Sequence, residues 1–177
     1  MSDTIKIPTW IDGRLTPVEK LEAHRRGLRH KAISVFVLRE GQVLLQRRSL
    51  HKYHTPGLWA NTCCTHPFWG EASLDCATRR LDEELGLGGI DLTFRDTVEY
   101  RAEVGGGLIE HEVVDIFVGE LAHGTEPCAN PDEVMDTIWT PLDQLAEDVA
   151  RRPHGFTPWL QIYMRDHAGT IFGSVPA

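Results

Sequence analysis

Hydrophobic and polar positions along this chain switch between a period of two and a period near 3.6. The apolar runs at 33–38 and 42–46 flank Glu40-Gly41 and predict a β-hairpin. Leu74, Ala77, Leu81 and Leu85 recur at helical spacing, which predicts a helix over 73–85 with Ser73 as its N-cap and Gly86 as its stop. Two strands, 97–104 and 108–118, are predicted on either side of Gly105-Gly106-Gly107. After a loop at 121–130 come a short strand at 133–139, a helix at 141–151 opened by Pro141, and a last helix from near Pro158. No repeat, low-complexity tract or linker interrupts the pattern. The whole chain, 1–177, is expected to be a single α/β domain with a mixed sheet between helices, its core running from about residue 20 to about 172.

Composition narrows the function classes. With 41% hydrophobic and 25% charged residues, 177 residues suffice for one real core. A net charge of -8 argues against nucleic acid as a partner, because a phosphate backbone needs a basic surface. A small anionic molecule is still accommodated if Lys and Arg gather locally. No apolar run of membrane-spanning length and no signal-like N-terminus is present, so no membrane insertion is expected. Cys63, Cys64, Cys76 and Cys128, two of them adjacent, make a poor disulfide framework and point to a reducing cytoplasm.

The second hairpin carries chemistry. A three-residue turn at 105–107 pairs Val104 with Leu108, Ala102 with Glu110 and Tyr100 with Glu112. Val98, Tyr100, Ala102, Glu110, Glu112, Val114 and Ile116 then share one face, and Glu99, Arg101, Glu103, His111 and Asp115 the other. Two carboxylates among apolar residues are costly unless paired, protonated or metal-bound. A register slip of one residue would put both in solvent instead. His24 and His30, just before the first predicted strand, and His66, two residues past the cysteine pair, are available partners. Three imidazoles and two carboxylates suit Mn²⁺, Zn²⁺ or Fe²⁺ in octahedral geometry, while taken singly each histidine reads as an ordinary surface residue.

From about Lys20 to Trp159 the chain resembles the type 1 isopentenyl-diphosphate isomerases of the Nudix superfamily. The resemblance rests on Glu19-Lys20 with His24, Arg47-Arg48, Pro56-Gly57-Leu58-Trp59 and the segment from Asn61 through Cys63-Cys64-Thr65-His66 to Pro67. It continues through Arg79-Arg80, Glu83-Glu84-Leu85-Gly86, Tyr100-Arg101-Ala102, Glu110-His111-Glu112, Asp132-Glu133-Val134 and Phe156-Thr157-Pro158-Trp159. Against the Nudix hydrolase signature, Glu71 and the run from Arg79 to Leu87 align, but Thr65 replaces the first Gly and Arg80 the first Glu of the helix. A cation in place of that Glu should weaken the multi-metal cluster that activates water. The other reading of Arg80 is an i,i+4 pair with Glu84 on a solvated helix face.

The resemblance implies a Nudix fold and the interconversion of isopentenyl and dimethylallyl diphosphate through a carbocation-like intermediate, as part of isoprenoid biosynthesis. It implies Cys64 on one side of the substrate and Tyr100 with Glu112 on the other, with strand alternation turning Cys63 away. His24, His30, His66, Glu110 and Glu112 would hold a divalent metal, Mn²⁺ or Zn²⁺, and Glu84 would hold Mg²⁺ on the substrate diphosphate. Lys20, Arg48, Lys52 and Arg80 would meet the diphosphate charge, and Trp159 would offer a π face to the cation. Lys20 and Lys52 read alone are ordinary surface lysines. A monomer or weak dimer is expected. Two other classes compete: a Nudix hydrolase of a nucleoside or other diphosphate, and a non-catalytic metal- or diphosphate-binding module on the same scaffold.

Overall fold

The computed structural model describes residues 4–173. Its central strand is β3 (Arg29–Arg39), buried on both faces, which is why its sequence is a nearly continuous apolar run rather than an alternating one. Strand β8 (Leu108–Glu120) pairs with it in parallel from Arg29 to Leu38. Three strands divide its other edge. Thr9 of β1 (Lys6–Ile11) meets His30, β6 (Cys63–Thr65) covers Ile33 to Val35, and β4 (Gln42–Arg48) meets Leu38 and Arg39. Strand β2 (Arg14–Glu19) extends from β1, β7 (Leu92–Gly105) extends from β8, and β5 (Trp59–Ala60) and β9 (Val134–Pro141) flank β4.

Helices close both faces of this mixed sheet, as the patterning predicts. On one face α2 (Ser73–Leu85) packs Cys76, Ala77, Leu81 and Leu85 against Ile33, Val35, Val37, Leu44 and Cys63. The other face carries α3 (Leu142–Arg151), α4 (Pro158–Ile162), a π-helical turn at Tyr163–His167 and α5 (Ala168–Phe172). Their Leu145, Leu160, Tyr163 and Ile171 pack with Phe36, Val98, Val114 and Ile116. A short helix, α1 (Lys20–Arg25), leads into β3, and the Glu19 carboxylate caps it by accepting the Leu21 and Glu22 amides.

Several expectations are corrected in detail. Two strands precede the one predicted first, so His24 and His30 follow a complete N-terminal hairpin. Ser73 is not the N-cap of α2; Ala72 holds that place without a side-chain bond, and the Ser73 hydroxyl donates to Asp115. That anchor sets the first turn so that Leu74 is exposed and Cys76 turns inward. Pro141 ends β9 and caps α3 rather than opening it. Glu40 and Gly41 both take positive φ, 50° and 77°, the conformation of the two-residue hairpin turn expected there. At the other hairpin tip Gly105, not Val104, pairs with Leu108, and a bulge between Glu103 and Gly105 absorbs the extra residue. Below the bulge the pairs Ala102–Glu110 and Tyr100–Glu112 stand as predicted, with both carboxylates facing inward.

Candidate active site

Alternation along the sheet gathers the site on one face. His30, Ala32, Ser34 and Phe36 of β3 point to the same side. Cys64 lies opposite Ser34 in one neighbouring strand and Glu112 opposite His30 in the other. Cys63, opposite Val35, is turned into the α2 core, so the adjacent thiols are separated as strand geometry requires. Trp159 comes from α4, Arg80 from α2, Lys20 from α1, and Lys52, Tyr53 and His54 from the loop after β4. They enclose a cavity of about 50 Å³. It opens beside a groove of about 380 Å³ in which Lys20, Lys52, Tyr53, Thr65, His66 and Arg80 also take part.

At the cavity's inner end four side chains place one donor atom each within 4.8 Å of one another: His24, His30, His66 and Glu112. His66 Nε2 is 2.8 Å and His30 Nε2 3.6 Å from Glu112 Oε1. Adjacent donors around an ion with bonds near 2.1 Å stand about 3 Å apart, so this spacing fits a single divalent ion. The tautomers fit as well. Nδ1 of His24 and of His30 each lie 2.7 Å from a backbone carbonyl, of Lys20 and Leu28, which fixes the proton there and leaves both Nε2 atoms buried with no partner. Burial, with the His30 charge next in weight, pulls His24 down to about 4; burial also holds His66 far below the usual imidazole value. These neutral rings are the form that binds metal.

Glu110, expected in that group, belongs to a second one with His24 and His54. The two groups are joined by Tyr100, whose hydroxyl is 2.8 Å from Glu110 Oε2 and 2.9 Å from Glu112 Oε2. One hydroxyl proton cannot serve both carboxylates, so the second contact requires a protonated carboxyl. Burial, followed by the Glu112 charge, pushes Glu110 well above the carboxylate range. Burial acts the same way on Glu112, but the neighbouring His66 and His30 outweigh it and shift that carboxyl well below the usual range. The two carboxyls joined by the Tyr100 phenol are thus pushed in opposite directions.

Cys64 donates its thiol proton to Asn61 Oδ1 at 2.8 Å, with Ser34 Oγ 3.4 Å away. The Trp159 indole donates to the same Asn61 oxygen at 3.2 Å, and the Asn61 amide is pinned to the Val35 and Cys63 carbonyls. Burial raises the thiol to about 12, so Cys64 holds its proton. Asn61 opens the family segment of the sequence without a role of its own there, yet it fixes both Cys64 and Trp159.

The cations form the outer part. Arg48, 7% exposed, lies 5.2 Å over the Trp159 ring, donates to the His54 carbonyl and keeps a buried, unpaired Nε. Arg80 has a similar unpaired Nε, while its Nη2 reaches Glu84 at 2.5 Å and Glu133 at 3.4 Å. Because Glu84 is 2% exposed, this pair is not on a solvated helix face. Burial lowers Lys20 and, only partly offset by Glu84, brings Lys52 to about 8, while Lys52 is also ion-paired with Glu133. Neither is an ordinary surface lysine.

The carboxylates that align with the hydrolase signature are occupied. Glu71 accepts two bonds from Arg79, at 2.7 and 2.9 Å, and Glu83 is shared by Arg79 and Arg80. Glu84 is held by Arg80 on one oxygen and by Gln46, at 2.8 Å, on the other. As an oxygen donor beside a cationic groove Glu84 suits Mg²⁺, which binds through one or two carboxylates with substrate oxygens and water.

The candidate site residues therefore gather at one cavity and its mouth, with His24, His30 and Glu84 directly behind its lining and Glu110, in the lining, apart from the four-donor group. His54 and Tyr53 were missed because no spacing links that loop to β8. The NUDIX domain family matches residues 28–160. The fold is also that of a crystal structure of DR0079 from Deinococcus radiodurans, at TM-score 0.71 and 13% identity over 90% of this chain and 97% of that one. A MutT NUDIX hydrolase from Burkholderia pseudomallei superposes at TM-score 0.61, with 22% identity over 78% and 98% of the two chains. Sequence relatives are much nearer. The isopentenyl-diphosphate Delta-isomerase of Jannaschia sp. (strain CCS1) is 70% identical over 97% of each chain, and that of Cereibacter sphaeroides (strain ATCC 17025 / ATH 2.4.3) 63% identical over 96% of each. With its cavity geometry, its NUDIX domain and relatives this similar over nearly their whole length, the chain belongs to the isopentenyl-diphosphate Delta-isomerase family.

Proposed function

We propose that the protein interconverts isopentenyl diphosphate and dimethylallyl diphosphate, supplying the allylic diphosphate for isoprenoid biosynthesis. The observation that carries this reading is where the buried unpaired polar atoms fall. Of seven among the described residues, five belong to the cavity and the four-donor group beside it: His24 Nε2, His30 Nε2, His66 Nδ1, Arg48 Nε and Arg80 Nε. The unpaired Nε2 atoms of His24 and His30 beside Glu112 call for a metal, and the unpaired guanidinium N–H groups for an anion.

Moving the double bond adds a proton at one carbon and removes one from another, leaving a cationic carbon between the two steps. Cys64 keeps a proton on one strand beside β3, and Tyr100 with Glu112 carries the exchangeable set on the other. Each set gives a proton in one direction of the reaction and takes one in the other. Trp159, whose ring already accepts the Arg48 cation, offers its π system to the cationic carbon. Substrate carbons filling the small, largely buried cavity would leave no room for water that would trap the cation. His24, His30, His66 and Glu112, with Glu110 drawn in, would hold Mn²⁺ or Zn²⁺, and the ion would acidify neighbouring groups and keep the inward carboxylates ionised. Lys20, Arg48, Lys52 and Arg80 grip the diphosphate, while Glu84 would hold Mg²⁺ against its oxygens. Binding energy from that end positions the carbon skeleton. Four free cysteines support a reducing, cytoplasmic setting.

The hydrolase alternative is disfavoured by Arg80, which stands where the signature has Glu and engages Glu83 and Glu84. Incubation with isopentenyl diphosphate and Mg²⁺ should yield dimethylallyl diphosphate; release of free phosphate or pyrophosphate instead would sink the reading.

A further inference from the structure

His54 is a buried imidazole that the chemistry above does not use. It is 5% exposed, with its ring against Tyr53 (4.4 Å), His24 (5.9 Å) and Trp159 (6.0 Å). Its Nε2 lies 3.4 Å from Glu110 Oε1, and its Nδ1 3.1 Å from the Thr55 hydroxyl. The neighbouring Thr55 has φ +46°, a left-handed conformation that β-branched residues rarely adopt. A backbone held this way beside a buried imidazole aimed into the cavity points to a functional constraint on His54.

The two donor groups, His24–His30–His66–Glu112 and His24–His54–Glu110, share His24. Nδ1 of His24 is engaged by the Lys20 carbonyl, so only Nε2 is free, and one nitrogen cannot serve two ions. The two groups stand as separate clusters around His24, so they can be filled together only if Glu110 and His54 close onto the ion that His24 binds. The contacts His66–Glu112 at 2.8 Å, His54–Glu110 at 3.4 Å and His30–Glu112 at 3.6 Å all lie near the spacing of adjacent donors on an ion.

Resting on the metal reading above, we propose that His54 is a sixth protein donor to that ion, entering with Glu110, so that four imidazoles and two carboxylates close the sphere to water and substrate. The Thr55 hydroxyl fits this role, because a metal-bound Nε2 needs its proton on Nδ1, where Thr55 can accept it. The competing arrangement has Nε2–H donating to Glu110 from outside the sphere, with Nδ1 accepting from Thr55.

Mn²⁺-loaded protein separates the two. Pulsed electron paramagnetic resonance should count four coordinated imidazole nitrogens in the wild type, and water proton relaxation should find no exchanging water on the ion. In His54→Ala the count should fall to three and one water should appear. Three nitrogens in the fully loaded wild type, or a water already bound there, overturns the role of His54 and leaves the remaining site intact. Failure of the wild type to bind Mn²⁺ or Zn²⁺ at all removes the metal site itself, and His54 with it. Should His54→Ala not retain the ion, the wild-type nitrogen and water counts decide alone.

Discussion

Arg80 Nη2, at the cation-lined mouth of the cavity, lies 2.5 Å from the buried Glu84 Oε1, one turn along α2. A positive charge thus stands where the hydrolase signature has a carboxylate, and it engages the one buried carboxylate left for a metal. Negligible phosphate or pyrophosphate should be released from nucleoside diphosphate derivatives, while isomerisation should still require Mg²⁺. Phosphate-release assays with and without Mg²⁺ test both halves. Robust turnover of such a compound would favour hydrolysis, and Mg²⁺-independent isomerisation would remove the role of Glu84.

Cys64 and Cys63 are neighbours in sequence but face different layers. Cys64→Ala and Glu112→Gln should each lower kcat by on the order of 10²- to 10⁴-fold, the usual cost of losing a positioned acid or base. Cys63→Ala should keep much of the activity. In D₂O the wild type should place solvent deuterium in the new methyl group, and Cys64→Ala should not. Near-normal turnover and labelling in Cys64→Ala would make Cys64 a packing residue. Metal content of Glu112→Gln must be measured alongside, since that side chain is also a candidate ligand.

One transition-metal or zinc ion per chain is expected. His66→Ala and Glu110→Ala should each lose it, because His66 belongs to the four-donor group and Glu110 is the carboxylate proposed to be drawn in with the ion. Elemental analysis decides. A metal-free, fully active wild type, or unchanged content in both variants, would defeat the site.

Buried neutral histidines also make the metal-free protein acid-sensitive. His24 is lowered from 6.5 to about 4 and His54 to about 2, so as pH falls below 6.5 the unfolded chain binds protons that the folded chain refuses. This contribution to stability is complete above pH 6.5 and is lost as pH falls towards each folded value, at about 1.4 kcal/mol per pH unit per histidine. Urea denaturation of chelator-treated protein should show stability falling from pH 7 to pH 5, with a shallower slope in His24→Asn. A flat profile would mean that these rings are charged in the folded protein.

Lys52 titrates near 8, within the working range, whereas an Arg there would not. KM for the diphosphate should rise above pH 8 as this charge is lost, and Lys52→Arg should move that rise to higher pH. Identical pH profiles for the two proteins would place Lys52 outside the binding set. Glu133 already occupies both Lys52 and Arg80, so Glu133→Gln should lower KM in the same measurements.

The hairpin with Tyr100 and Glu112 shows what could be read from the sequence. Alternation and a glycine turn were enough to set which carboxylates face inward, because a period of two leaves only two choices of face. The bulge at its tip was not legible, since three glycines in a row fit more than one turn. Conversely, Asp12-Gly13, both at positive φ between β1 and β2, is a strong hairpin signal that went unread, and with it the strand holding buried Ile7 and Thr9. The family motif singled out Cys64, His66, Arg80 and Glu84 because they lie in short contiguous segments. Only the tertiary structure decided that His54 approaches Glu110, 56 positions further along the chain, that Asn61 bonds Cys64 and Trp159 together, and that Arg80 and Glu84 form a buried pair. Local periodicity fixes which way a side chain points from its own element. Which side chains then meet depends on how separate elements pack, and no local pattern carries that information.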